Sequence, residues 1–394
     1  MRNFIYKIDT KLYFGGNRLE ELIDVLPNAS KKILLVYGGK SIKKNGLYQK
    51  ITTILKDYKI VEFSGIVHNP RIEHIRKGIT LAKKEKIDFV LAVGGGSVID
   101  SAKMIALGVN ITDDIWEVMT ILPRNNDHKA MPLGVIVTTA ATGSEMNGFA
   151  VISNEEHKEK ISFAHDSLKP LFTFSDPTTL YSLPRTQIVY GIIDSIAHIC
   201  EQYFSSHEDE RIVDRQAEGL MQEIIKAGVQ VLAERENYKA NATLMWGATQ
   251  ALNNSLILGR LSGGDWLTHE IEHKISGVTD MAHAKGIAII LPVVLTYYLE
   301  QDLAQNLPLT KFVNLGKNVF GLTNDSDSAL AKQTVQEIKK LIESMQENFR
   351  FHEKAQIVTV EIAKQVTKSG RFGTYHSLDY ADIVQILEMC QIEE

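Results

Sequence analysis

The sequence predicts an α/β N-terminal half built on a parallel sheet, followed by an all-helical C-terminal half. Up to about residue 184, short runs rich in Val, Ile and Leu alternate with amphipathic stretches of helical length, the pattern of βαβ units. Seven of the nine prolines lie at or before Pro184, and the chain beyond it reads as successive helical segments with few breakers. A glycine run joins one apolar stretch directly to a helical pattern, as parallel α/β units do at their ligand-binding turns.

Taken in order, strands are expected at KKILLVYGG (31–39), KIVEF (59–63), DFVLAVGGG (88–96) and LGVIVTT (133–139), with helices over 46–57, 71–86 and 98–108. In YSLPRTQ (181–187), Pro184 can open a helix after an extended segment, so domains are expected at 1–184 and 185–394. The stretch IAIILPVVLTYYL (287–299) contains Pro292 and is too short to span a bilayer; it reads as a buried helix.

Composition narrows the class. With 44% hydrophobic and 23% charged residues the chain is ordinary globular material. A net charge of -5 without a dense Lys/Arg run argues against nucleic acid or a membrane surface and for small-molecule partners. Cys200 and Cys390 stand alone, which excludes a disulfide framework or thiolate metal site and suits the cytoplasm. The opening MRNFIYKIDTKLYFGG lacks the apolar core of a signal peptide.

In LAVGGGSVIDSAKMIALG (91–108) a strand runs through Gly94, Gly95, Gly96 and Ser97 into a helix. Free backbone N–H groups and the positive helix end make an anion cradle, and a Cβ there would hold a phosphate off the backbone. The run is neither G-x-G-x-x-G nor a P-loop, so a pyrophosphate site of another lineage is expected. The second loop, VTTAATGSEMNG (137–148), offers Thr138, Thr139, Thr142, Ser144 and Asn147 at the end of another strand, where α/β proteins bind ligands.

GIIDSIAHICEQYF (191–204) sets Asp194 and His198 four apart on one helix face. Downstream lie His269, His273 and His283; one aspartate with two or three histidines makes a site for a divalent metal with a position left for a substrate oxygen. HEIEH (269–273) also matches the H-E-x-x-H of zinc proteases. The extended protease pattern needs Gly and His where Ser276 and Thr279 stand, and a nucleotide cradle has no place in a protease.

Together, GGGSVID, TTAATGSE, FSDPTTLYSLP leading to GIIDSIAHICE, and H-x-x-x-H followed by the last histidine and IAIILP make a pattern that resembles the iron-containing, or group III, alcohol dehydrogenases. Within them it is similar to the butanol dehydrogenase and broad-range aldehyde reductase branch, where, as here, Ala284 rather than Gly follows His283. The resemblance spans nearly the whole chain. It implies a dehydroquinate synthase-like fold, with a dinucleotide-binding domain before a helical metal-binding domain, in a homodimer. The implied activity is metal-dependent, NAD(P)H-linked conversion of short- to medium-chain primary alcohols and aldehydes such as butanol and butyraldehyde. It also implies Asp194, His198, His269 and His283 as ligands of Fe2+ or Zn2+, His273 near nicotinamide and substrate as the catalytic proton carrier, and Lys160, Asp100 and Lys103 near the cofactor.

In LLVYGGKS (34–41), the strand ends on Gly38 and Gly39 and is followed by Lys40, Ser41, Lys43 and Lys44, where an NAD enzyme would carry an acid for the ribose 2′-OH. The surplus of donors and positive charge predicts a preference for NADPH over NADH. The alternatives are a dehydroquinate synthase-like NAD-dependent lyase, whose phosphate substrate calls for more basic residues over the metal, and a non-catalytic nucleotide- or metal-binding module.

Overall fold

The computed structural model describes residues 2–28, 30–121, 127–260, 262–345 and 359–390. The chain forms two compact units: Lys7–Ile188 with Gln230–Asn253, and Met1–Tyr6 with Val189–Val229 and Asn254–Glu394.

The first unit is built on strands β1 (Lys11–Phe14), β2 (Lys32–Tyr37), β3 (Lys59–Phe63), β4 (Phe89–Gly94), β5 (Leu133–Val137), β6 (Phe149–Asn154), β7 (Glu159–Ala164) and β8 (Phe172–Ser175). Among the described residues, six of them form one sheet in the order β1-β8-β5-β4-β2-β3 with every neighbouring pair parallel, and β6-β7 is a separate antiparallel hairpin. The strands read as continuous apolar runs because both sheet faces are covered. Ile33, Leu35, Phe89 and Leu91 pack into one core with Leu22, Ile51 and Leu55, while Leu34, Val36, Val90 and Ala92 are buried on the other side.

All four expected strands and the three expected helices form, the helices at Leu47–Ile54, Ile72–Glu85 and Gly96–Gly108. β1, β8 and the β6-β7 hairpin were not legible: β1 and β8 are four residues long, and β8 buries Thr173 and Ser175, so hydropathy does not mark it.

Register places the functional loops. Tyr37 pairs with Val93 and Gly94 with Val137, so β2, β4 and β5 end side by side. After β2 the chain moves outward to β3, and after β4 it moves the other way to β5. This is a topological switch point, where open α/β sheets hold ligands beyond their carboxyl ends.

The residues beyond Pro184 are largely helical, as expected. Gln230–Asn253, however, packs with the sheet unit rather than with the rest of that half. Thr249 donates to Glu145 at 2.6 Å, the Asn147 amide donates to the Leu252 carbonyl at 3.1 Å, and Arg235 reaches the Leu180 carbonyl at 3.3 Å. Partners so far away in sequence leave no local signature.

In the second unit, the helix His283–Ala304 carries Pro292 and is apolar and long enough to cross a membrane by composition, yet 61% of its apolar window is buried inside the protein. A core helix needs no membrane to account for that hydropathy.

Candidate nucleotide cradle and metal centre

The β4–helix turn and the β5 loop form one surface. The Thr138 N–H donates to the Gly94 carbonyl at 3.1 Å. A Cβ on Gly95 would lie 2.7 Å from Thr139 Oγ1, and one on Gly96 would lie 2.5 Å from Thr142 Cγ2. The glycines are therefore required by loop packing as well as by an approaching anion. Gly96→Ala should cost roughly 1–3 kcal/mol through this overlap and weaken nucleotide binding. Calorimetry of the variant checks it; an unchanged melting temperature would mean that the two loops do not press on one another.

Behind the cradle, Asp100, Lys103, Ser144 and Asn147 knit the loops together. Lys103 is buried and donates to Ser144 Oγ (2.8 Å), Asn147 Oδ1 (3.2 Å) and the Phe149 carbonyl (2.7 Å). Asp100 accepts from Ser144 Oγ (2.6 Å) and the Val151 N–H (2.9 Å). Burial pushes the Lys103 ammonium down to about 8 against the pull of Asp100 and Glu145. These side chains hold the cradle's shape. Lys160 lies buried on β7, and Ser97 begins the helix beside Gly96.

Beyond β2, Gly38, Gly39, Lys40, Lys44, Ser64 and Gly65 line a cavity of about 510 Å3 together with Tyr37 and Lys43; Ser41, exposed at the start of the short helix Ser41–Lys44, is not among the lining residues. An acid missed by sequence reasoning stands beside it. Glu62 on β3 accepts from the Tyr37 and Tyr48 hydroxyls and from Lys43 at 3.0 Å, and these partners, Tyr37 first, hold it down at about 2 against burial. Lys43 thus offsets Glu62, and Lys40 and Lys44 remain as the flanking cations of the cavity.

The metal-type cluster lies wholly within the helical unit. Asp194, His198 and Glu201 share a face of Arg185–Tyr203, His269, Glu272 and His273 share one of Leu267–Thr279, and His283 opens the next helix. Asp194 Oδ1 lies 3.7 Å from His198 Nε2, 3.7 Å from His269 Nε2 and 3.5 Å from His283 Nε2. Ligands about 2.1 Å from a tetrahedral cation stand about 3.4 Å apart, so the spacing suits ligation and exceeds hydrogen bonding.

Asp194 Oδ1 and His269 Nε2 are buried without a hydrogen-bond partner, an expensive arrangement unless a cation completes it. Imidazole and carboxylate are the donors that Fe2+ and Zn2+ accept, so the residues fit such an ion. Asp194, His198 and His269 are buried, whereas the His283 side chain is 27% exposed, so the cluster opens on that side.

The electrostatics point the same way. Burial pushes His198 down to about 3, leaving a neutral imidazole ready to ligate. Burial also opposes charge on His269, but Glu201 and Asp194 outweigh it and hold the imidazole up at about 10. Asp194 is held well below its usual range because the surrounding imidazoles overcome its burial. The carboxylates thus favour positive charge at the centre, which a divalent cation would supply in place of a proton.

His273 brings its Nε2 to 4.0 Å from Glu272 Oε2, with its ring 5.6 Å from that of His283 and 6.2 Å from that of His269. Glu270 pairs with Lys274 at 2.8 Å, an ordinary helix ion pair rather than a protease base. Two carboxylates went unread in the sequence: Glu201, which accepts from both His269 Nδ1 and the His269 N–H (3.1 Å), and Glu272, which contacts His283 Nδ1. Their positions, seven residues after Asp194 and three after His269, were the available signal.

Residues 9–177 match the model of the family described as iron-containing alcohol dehydrogenase, and residues 188–390 match that of the C-terminal region of Fe-containing alcohol dehydrogenases. The chain is 37% identical to the probable NADH-dependent butanol dehydrogenase 2 of Bacillus subtilis, covering 98% of this chain and 99% of that one. It is 35% identical to the NADPH-dependent aldehyde reductase YqhD of Escherichia coli over 83% of this chain and 82% of that one. The crystal structure of NADH-dependent butanol dehydrogenase A from Thermotoga maritima superposes with a TM-score of 0.91 at 33% identity, covering 100% of this chain and 99% of that one.

Proposed function

The chain belongs to the iron-containing alcohol dehydrogenase family and is an NAD(P)H-linked alcohol dehydrogenase and aldehyde reductase; we propose that it acts on short- to medium-chain primary alcohols and aldehydes such as butanol and butyraldehyde. The observation that carries this reading is the Asp194 carboxylate ringed by three imidazoles, with Asp194 Oδ1 and His269 Nε2 both buried and without a hydrogen-bond partner, in a chain whose two halves both match the family.

Asp194, His198, His269 and His283 would hold one Fe2+ or Zn2+. Such an ion supplies Lewis-acid polarisation of the alcohol or carbonyl oxygen, and a nicotinamide supplies or accepts the hydride at the carbinol carbon. His273 passes the proton between the substrate oxygen and solvent. The exposed flank of His283 admits the substrate, while the burial of the other ligands keeps bulk water from their carboxylate and imidazoles.

In the sheet unit, Gly94, Gly95, Gly96 and Ser97 receive the pyrophosphate with Thr138, Thr139 and Thr142, while Asp100, Ser144 and Asn147 hold that loop and Lys160 stands by the cofactor. Gly38, Gly39 and Ser41 receive the adenine-side ribose. Lys40 and Lys44 favour a 2′-phosphate there, and Lys43 offsets the charge of Glu62. NADPH is accordingly the preferred cofactor and NADH the weaker one.

A homodimer suits the exposed apolar arm Phe4, Ile5, Tyr6 and Ile8, which precedes the sheet-edge strand β1. The free thiols Cys200 and Cys390 suit the cytoplasm.

The test follows nicotinamide absorbance with NADPH and then NADH against butyraldehyde, on protein stripped of metal and reloaded with Fe2+ or Zn2+. Metal-dependent oxidation with the higher kcat/KM for NADPH is expected. A higher value for NADH would overturn the cofactor preference, and no turnover with any aldehyde despite bound metal and cofactor would overturn the substrate assignment.

A further inference from the structure

Glu272 occupies a position that local pattern does not explain. It is a fully buried carboxylate inside HEIEH, one helical turn after His269 and beside His273. A buried anion is costly unless its lone pairs are used. Glu272 uses them on the site: Oε2 contacts His283 Nδ1 and Oε1 accepts from the Ser276 hydroxyl, while His273 Nε2 lies 4.0 Å away, beyond hydrogen-bond reach.

The next helix makes room for it. A Cβ on Gly286 would come within 2.7 Å of Glu272 Cγ, so only glycine there lets the two helices close over this side chain.

His283 is the ligand that most needs such a partner. It is the most exposed of the three imidazoles around Asp194 and stands at a helix start, three residues after Asp280, whose φ of 55° turns the chain. A carboxylate accepting from Nδ1–H fixes the tautomer that presents the Nε2 lone pair to a cation and restrains the ring. Glu201 makes the equivalent contact to His269, so each ligand contributed from the 269–283 segment has its own buried carboxylate.

We propose that Glu272 is a positioning residue: it holds His283 in the ligand set through the His283 Nδ1–H. The inference rests on the reading of His283 as a metal ligand.

The test uses full-length Glu272→Met, which keeps the volume without an acceptor, and Glu272→Gln, whose amide oxygen still accepts from Nδ1–H. Their Co2+ dissociation constants are measured by chelator competition, and the visible Co2+ spectrum reports ligand geometry. Glu272→Met should bind Co2+ roughly 10–100-fold more weakly with an altered spectrum, and Glu272→Gln should recover most of that loss. Glu272→Met leaves the His283 Nδ1–H and the Ser276 hydroxyl without this acceptor, so its apo melting temperature is read beside that of Glu272→Gln, which keeps one.

Wild-type Co2+ affinity and spectrum in Glu272→Met would overturn the proposal, as would a Glu272→Gln variant as weak as Glu272→Met. His283→Ala run in parallel separates the two readings. Co2+ bound at full affinity by His283→Ala removes His283 from the ligand set itself. Loss of Co2+ in His283→Ala but not in Glu272→Met removes only the positioning role.

Discussion

His269→Ala is expected to release the metal and bring metal-dependent turnover to background. His269 lies in the buried part of the cluster, its Nε2 3.7 Å from Asp194 Oδ1 and its Nδ1 against Glu201. Removing it deletes a donor and strands two buried carboxylates, Asp194 and Glu201, without the imidazole between them. The loss of affinity should exceed the roughly 10–100-fold that follows from disturbing an outer partner of a ligand. Elemental analysis of purified variant protein checks it. A full equivalent of metal with wild-type affinity would place the ion elsewhere and withdraw the centre described above.

His273→Ala should separate binding from chemistry. Its ring lies close to those of His269 and His283, but its Nε2 is turned to Glu272, so its removal leaves the Asp194 group intact. Metal content should stay at the wild-type level while kcat falls by about 10^2–10^4-fold, the range for a lost general acid–base group. The pH–rate profile should also lose the limb that the imidazole contributes. Metal lost in His273→Ala and retained in His269→Ala would exchange their roles and return HEIEH to a two-histidine metal motif.

These two variants isolate the point at which sequence patterns stop being informative. His269 and His273 are four apart, so helical periodicity puts both on one face, and that spacing is what a zinc protease would need as well. What separates them is the packing of the helix Leu267–Thr279 against the helices that bring Asp194 and His283, which sets the His269 imidazole 3.7 Å from Asp194 Oδ1 and pairs His273 with no atom of Asp194.

The same boundary runs through the cofactor region. That β2, β4 and β5 would end in polar, glycine-rich loops was legible, because strand-to-helix turns leave N–H groups that local composition reveals. That Thr139 and Thr142 press on Gly95 and Gly96, that Lys103 braces Ser144 and Asn147, and that Glu62 stands beside the Lys43 cavity was not. Those partners are separated by tens of residues and meet only because of strand order.

By itself, the sequence determined the parallel α/β half, the helical half, the glycine cradle and the set of residues from which a metal site must be drawn. Each of these depends on spacing within one element or one turn, where backbone geometry dictates direction. Tertiary structure alone decided that Gln230–Asn253 joins the sheet unit, that Glu201 and Glu272 contact the Nδ1 atoms of His269 and His283, and that three imidazoles gather at one aspartate oxygen. Those outcomes depend on how helices rotate and close on one another, a balance of packing and buried charge that no single segment encodes.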